Sequence, residues 1–459
     1  MSDHDRIEKD SQGEVRVASS ALWGAQTQRA VDNFRIGQLP MPAALIRAIG
    51  LIKWAAAESN GELGELPPVT AAAVAQAALE IAAGQHADQF PVGVMQTGSG
   101  TSTHMNVNEV IARLAGAQLR AAVHPNDHVN RCQSSNDVMP TAIHLAAALE
   151  LRDRLLPALD RLSRAIAKRA SEVGEAVKTG RTHLMDALPI TVGQEMRAWQ
   201  SQVEDAAARL RDVLPRLQRL ALGATAVGSG VNAHPRFAGM AIARLAARTG
   251  LALLPAPDRF ASLAAQDTAV ELSGQLRGAA VALLKISNDL RWMNSGPLAG
   301  LGEISLPALQ PGSSIMPAKV NPVIPEAVAM AATQVMANDA AVAMAGASGN
   351  FQLNVMLPLI AHALLQSIEL LAGSSLALAE RALPGLAVHA ARIAENLARN
   401  PMLLTAIAPR IGYDRAAAIA RRVAAEGRPV LEVAVEETGL PRDELERLLD
   451  PARLARGGQ

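Results

Sequence analysis

Apolar residues recur every three or four positions through three long stretches of the chain. Met196, Trp199, Val203, Ala206, Leu210, Val213, Leu217 and Leu220 form one series, and Leu272, Leu276, Ala279, Leu283, Ile286, Leu290 and Met293 a second. Leu155, Leu159, Leu162, Ile166, Ala170 and Val173 form a third. This spacing lays one apolar seam along a helix, as packing in bundles and coiled coils requires. Abundant Ala favours helix and lets neighbouring helices approach closely. Alternation of period two is scarce, so the pattern predicts an all-α core. Pro157 and Pro215 interrupt two of the seams. A proline in a helix interior costs about 3 kcal/mol. A kink is expected at each; the alternative is a helix end, and the seam that continues past Pro215 favours the kink there.

Three regions follow from the pattern. Residues 1–133 mix short helical patterns with Gly/Pro-containing loops such as GELGELPP at 61–68. Residues 134–390 form the long helical middle, and residues 391–459 are more charged, with several short helical patterns. The stretch from Ala340 to Ile368 contains no Asp, Glu, Lys or Arg but does contain Gly346, Gly349, Asn350, Gln352, Asn354, Pro358, His362 and Gln366. So many amides and backbone breakers would be costly facing lipid, and the passage reads as a helix–turn–helix buried in protein, not as a membrane span.

The chain has 459 residues, 49% of them apolar and 2% aromatic, with 43 Lys+Arg against 43 Asp+Glu. Such a composition supplies a buried core and argues against a global polyanion binder, while leaving room for a local basic pocket. No basic–aromatic surface pattern or recognition-helix signature points to nucleic acid. The single cysteine, Cys132, excludes an internal disulfide and a multi-thiolate metal site. A reducing compartment, the cytoplasm, is the expectation. Residues 1–16 mix charges without an apolar stretch, so no secretory leader is expected.

Four polar islands interrupt the helices: TGSGTSTHMNVNE (97–109), HPNDHVNRCQSSND (124–137), GRTHLMDALP (180–189) and PGSSIMPAKVNPVIPE (311–326). They read as loops, and helix ends in a bundle could bring them together. In the last, two serines follow Gly312, and Lys319 and Asn321 stand between prolines that exclude ordinary helix. Hydroxyls beside a held cation suit capture of a carboxylate or of a developing oxyanion. The same composition describes a polar loop capping a helix. His183 carries the side chain best suited to proton transfer near neutral pH, and Glu326 is the carboxylate that could partner it. A lone histidine is more often structural. TGSGT could cradle an anion on its backbone N–H groups or serve as a turn. Ser134, Ser135, Asn136 and Asp137 read as a helix N-cap, a role compatible with ligand binding. HPND reads as a proline turn. His124 and His128 are four apart, but Pro125 argues against one helical face, and no metal site is expected.

Taken together the islands resemble a known family. GSSIMPAKVNP at 312–322 resembles the signature of the fumarase/aspartase superfamily, and TGSGTSTHMNVNE, HPND, QSSND, GRTHLMDALP and GASGNFQLNV (346–355) stand in the family's order and spacing. The resemblance spans about residues 14 to 450. Within the superfamily the chain is most similar to class II fumarases, the iron-independent fumarate hydratases. His183 stands where aspartases usually carry Gln, and QSSND and GASGNF are fumarase-like, whereas PAKVNPVIPE has the wording common in aspartases. His104 occupies a place where the family usually has Asn.

The resemblance implies an all-α, three-domain fold with a long central bundle, and reversible hydration of fumarate to L-malate through an aci-carboxylate. It implies that Ser313 takes the C3 proton and that Lys319 and Asn321, helped by Ser314 and loop amides, stabilise the charge. His183, polarised by Glu326, would attend the departing hydroxyl. Ser99, Gly100, Thr101, Ser134, Ser135, Asn136, Thr182 and Val320 would complete the substrate site. Holding both carboxylates sets the breaking bonds anti, the proximity contribution to rate. His124, Pro125, Asn126 and Asp127 match a second, non-catalytic dicarboxylate site, although the arginine that often precedes that motif by three residues is Ala121 here, beside Arg120. No metal or organic cofactor is implied. The family assembles as a homotetramer whose active sites each draw on three subunits. The three seams fit that arrangement, since one chain alone is expected to leave large apolar stripes exposed. The runner-up reactions are deamination of aspartate or of an N-substituted aspartate; the non-enzymatic alternative is a structural paralogue.

Overall fold

The computed structural model of the chain describes residues 5–37 and 39–457. Residues 1–4 of the opening segment and 458–459 of the C-terminal region lie outside the described residues. Helices make up most of the structure, and every sheet among the described residues is two-stranded, in keeping with the expected all-α class. The predicted seams lie along the helices Leu156–Val173, Val192–Leu217 and Asp267–Met293. Every seam residue except Val173 is buried in the single chain. The expectation that a lone chain would leave the seams bare is therefore overturned: the seam side chains are already buried within the single chain.

The two prolines resolve differently. Helix Ser135–Glu150 widens into a π turn, Leu151–Leu155, closed by the Leu156 N–H donating to the Leu151 carbonyl, and continues as Leu156–Val173. The wider turn relieves the clash of the Pro157 ring with the carbonyl one turn back, so the helical path survives. Pro215 lies in the last turn of Val192–Leu217, and Leu220 is buried from the short strand Arg219–Leu220. The expected kink is a helix end; the seam outlasts the helix because an extended residue can bury its side chain equally well. A third proline, Pro140, lies inside Ser135–Glu150.

The chain divides into two compact units. The first comprises Met1–Pro157, Ala206–Ala280 and Ala332–Ala372. Here helix Ala43–Glu62 packs against Pro68–Ala82, Ser135–Glu150 and Phe237–Thr249. Ala43–Glu62 and Pro68–Ala82, at 20 and 15 residues, are longer than the short segments expected before residue 133. Leu45, Ile49, Ile52, Val74, Ile81 and Ile143 are fully buried, each worth about 1.5–3 kcal/mol over an exposed position. Intervening alanines allow the close packing. The expected helix–turn–helix is present: Val323–Gly346 leads through the hairpin Gly349–Asn350/Leu353–Asn354 into Leu357–Ala377. The buried Asn354 amide donates to the Ala345 carbonyl (2.9 Å) and accepts from the Met356 N–H (2.9 Å), satisfying the backbone groups a tight reversal frees. Among the described residues one helical stretch, Leu357–Ala382, is long and apolar enough to cross a membrane, with mean hydropathy 1.3; 56% of its most apolar window is buried in the protein.

The second unit comprises Ala158–Asp205, Val281–Ala331 and Gly373–Gln459. Its C-terminal helices Tyr413–Glu426, Val430–Thr438 and Arg442–Leu448 enclose an apolar cluster that includes Ile419, Val423, Val433 and Leu445. Residues 180–189, which read as a loop, instead belong to the antiparallel hairpin Val177–Thr182/Met185–Thr191. The buried Lys178 ammonium lies 2.8 Å from the carboxylates of both Glu195 and Glu303, and Arg181 donates to Glu303 at 2.6 Å. Burial raises the Glu303 carboxyl, but Arg181 and Lys178 outweigh it and hold the group below its ordinary range. This ion cluster ties down the base of the hairpin.

Candidate active site

The serine loop is closed by its own hydrogen bonds. The Gly312 N–H donates to the Lys319 carbonyl at 2.9 Å, and Asn321 Nδ2 donates to the Gly312 carbonyl at 2.6 Å. Only glycine fits at 312, since a Cβ there would stand 2.2 Å from the Lys319 carbonyl oxygen. Within the loop Ser313 Oγ accepts the N–H groups of Ile315 (3.2 Å) and Met316 (2.9 Å). Two donors aimed at one oxygen favour its negative form. A serine turn uses the same bonds, so the structural and catalytic readings share one geometry. Lys319 Nζ donates to Asn321 Oδ1 at 2.5 Å, holding cation and amide side by side.

Lys319, Val320, Asn321 and Glu326 line a cavity of about 770 Å³, together with Arg291, Trp292, Asn294 and His389. Ser313, Ser314, Thr182 and His183 are not among its lining residues. Thr182 ends one strand of the hairpin, and His183 and Leu184 make its two-residue turn, with φ of 56° and 60°. Two non-glycine residues in the left-handed region store strain at that tip. His183 is exposed, and among the described residues no hydrogen bond or ion pair reaches it. Glu326, its expected partner, sits in the first turn of Val323–Gly346 and lines the cavity that His183 does not, and among the described residues no hydrogen bond or ion pair joins the two within one chain.

The other expected site residues belong to the first unit, at two helix N-termini. Gly100, at φ 74°, precedes helix Thr101–Leu119, and Ser99 Oγ lies 2.8 Å from Thr101 Oγ1. Gly98 is required by close approach, for a Cβ there would fall 1.7 Å from the Val355 carbonyl oxygen. Ser134 caps Ser135–Glu150 as expected, in a reciprocal box: its Oγ accepts the Asn136 N–H (3.2 Å), and Asp137 Oδ1 accepts the Ser134 N–H (2.9 Å). The free amides and the positive end of each helix favour an anion in front.

Behind this second N-terminus lies a buried polar group of which the sequence pattern shows only the cap. Asp137 Oδ2 accepts the N–H groups of Gly223 and Thr225, both at 2.9 Å. Burial nevertheless pushes the Asp137 carboxyl up to about 6. Lys53, wholly buried, donates to Asn130 (3.1 Å) and Gln133 (2.9 Å), and burial drives its ammonium well below the usual lysine range. His104 Nδ1 lies 2.8 Å from Ser135 Oγ. Asn136 Nδ2 donates to the Ala226 carbonyl at 2.8 Å, bringing in the loop GATAVGSGVN (223–232), also missed. Its glycine-rich, polar composition between apolar helices was the available signal.

The expected second dicarboxylate site is a π turn, Pro125–Val129, not the proline turn read from HPND. His124 Nδ1 accepts the N–H groups of Asn126 (3.3 Å) and Asp127 (3.1 Å), and lies 3.2 Å from the Asp127 carboxylate. His124, Pro125 and Asn126 line a cavity of about 800 Å³, where Lys9 and Arg113 face Glu8, Asp10 and Glu109.

Comparison with known proteins shows the family to which the chain is similar. Residues 13–337 match the family described as lyase, and residues 403–456 match the fumarase C C-terminus. A class II fumarate hydratase of Xylella fastidiosa is 58% identical over 457 residues, covering 100% of this chain and 97% of that protein. A second such relative, fumarate hydratase class II 2 of Pseudomonas aeruginosa, is 56% identical over 453 residues, with 99% of each covered. The crystal structure of recombinant class II fumarase from Schistosoma mansoni superposes with a TM-score of 0.95 at 36% identity, covering 99% of this chain and 100% of that one.

Proposed function

The chain belongs to the lyase family, within its class II fumarate hydratases, and from that premise we propose that it interconverts fumarate and L-malate by anti addition and elimination of water. In the dehydration direction Ser313 Oγ takes the C3 proton of malate, and the C–H electron pair moves toward the adjacent carboxylate as an aci-carboxylate. Lys319 and Asn321 receive that charge, with Ser314 beside them. The electron pair then forms the C2–C3 double bond as the C2–O bond breaks. The oxygen leaves as water, its proton supplied from His183 under the influence of Glu326. Thr101, Thr182, Ser134, Ser135 and Asn136 hold the two carboxylates, with Ser99, Gly100 and Val320 shaping the walls.

The observation that carries this assignment is the pair of backbone N–H groups on Ser313 Oγ, in a loop that also fixes Lys319 beside Asn321. A serine hydroxyl is a poor base unless its oxyanion is stabilised, and those donors supply the stabilisation. The exposed, unpartnered His183 supports a site completed by neighbouring copies in a homotetramer, where Glu326 of another subunit would reach the imidazole. A cytoplasmic setting, with the buried Cys132 kept reduced, belongs to the same proposal.

The test is to incubate the purified protein with L-malate and, separately, with L-aspartate, following the ultraviolet absorbance of the unsaturated product. Malate is expected to yield fumarate and aspartate to yield none. Fumarate and ammonia from aspartate alone would overturn the assignment. A Ser313→Ala protein with undiminished turnover would remove Ser313 as the base.

A further inference from the structure

We propose that His104 is a positioning residue for substrate binding: its imidazole donates from Nδ1 to Ser135 Oγ and so leaves the Ser135 O–H free to donate to a substrate carboxylate. The inference rests on the reading above that Ser135 meets that carboxylate.

His104 is fully buried, with Nδ1 2.8 Å from Ser135 Oγ and Nε2 without a hydrogen-bond partner among the described residues. The ring has one proton to place. On Nε2 it would be a buried N–H with no acceptor, a state native structures avoid more strictly than an unused lone pair. On Nδ1 it meets the serine oxygen. Burial, and then the charge of nearby Lys53, disfavours a second ring proton. With Nδ1–H donating, Ser135 Oγ is occupied as an acceptor, and its own proton turns to whatever lies in front of the helix. Ser135 is partly exposed as the first residue of Ser135–Glu150, where the helix amides favour an anion. With the opposite tautomer Ser135 would spend its proton on the ring and show a carboxylate only lone pairs. His104 thus sets the polarity of the hydroxyl without touching substrate.

Steady-state kinetics of the full-length protein separate this role from packing. An Asn side chain at 104 places an amide N–H near the Nδ1 position, whereas Gln places it near Nε2. His104→Gln is expected to raise KM about tenfold, one lost charge-assisted hydrogen bond, with kcat within about threefold of the parent. His104→Asn is expected to recover most of that affinity. In a Ser135→Ala background His104→Gln should add nothing further. Equal KM values for the Asn and Gln variants, or the same rise with and without Ser135, would overturn the proposal. If Ser135→Ala itself leaves KM unaltered, the assignment of Ser135 to the carboxylate falls, and the proposal with it. If Ser135→Ala raises KM while His104→Gln does not, only the positioning role falls. Should the Gln variant not assemble, His104→Leu, which lacks any donor, takes its place; failure of both to fold makes His104 a packing residue and also overturns the proposal.

Discussion

Asp137 ties the N-terminus of Ser135–Glu150 to the 223–225 turn, and its replacement by Ala tests how much of the site rests on that tie. Its two oxygens accept three backbone N–H groups, from Ser134, Gly223 and Thr225, each at 2.9 Å. Each buried donor left without an acceptor costs about 1–3 kcal/mol, and partial relaxation should bring the three together to roughly 3–5 kcal/mol. Ser134→Ala, which loses a single cap bond, should cost only about 1 kcal/mol. The pH dependence carries a definite sign. Burial pushes the Asp137 carboxyl up to about 6 from an ordinary 3.8, so the folded state holds the proton more tightly than the unfolded chain. That contribution is fully present below the unfolded value and is lost as pH rises through the folded one. The gap between parent and Asp137→Ala should therefore widen by roughly 1–1.5 kcal/mol between about pH 7.5 and about pH 5. Urea unfolding at the two pH values, at matched protein concentration, measures it. A gap below about 1 kcal/mol at neutral pH, or one that narrows on acidification, would rule out this role for Asp137.

Three further outcomes are expected. Gly312→Ala drives a Cβ into the Lys319 carbonyl at 2.2 Å and should lower kcat by roughly a hundredfold or more, with little change in melting temperature because the loop is largely exposed. Glu303→Gln strips the buried Lys178 of one counter-ion and should destabilise by about 3–5 kcal/mol at neutral pH in thermal or urea unfolding. The Glu303 carboxyl lies below its ordinary range, so its contribution is present above the unfolded value and lost as pH falls through the folded one; that gap narrows in acid, opposite to Asp137. His183→Asn should reduce kcat about a hundredfold with unchanged melting, since the side chain is exposed and Asn accepts the left-handed turn. An unchanged kcat would return His183 to a turn residue.

The helical seams were readable because burial on one face imposes a 3.6-residue period, and that period depends on neighbouring residues alone. The serine cap at 134 and the helix–turn–helix within 340–368 were readable for the same reason: their signals lie within a few positions. The hairpin bearing His183 was not, because its strands lack alternation and it is held from below by Lys178 and Glu303, 125 apart in number. Pro215 misled because a seam reports which side chains are buried, not whether the backbone carrying them is still helical.

What the chain encoded locally, then, was its class and the polar islands where chemistry concentrates. What the tertiary structure decided was their electrostatic state: Lys53 against Asn130 and Gln133, Asp137 beneath the 223–225 turn, and His104 beneath Ser135. A buried proton's position depends on the donors and acceptors that surround it from distant segments, and no run of neighbouring residues specifies those.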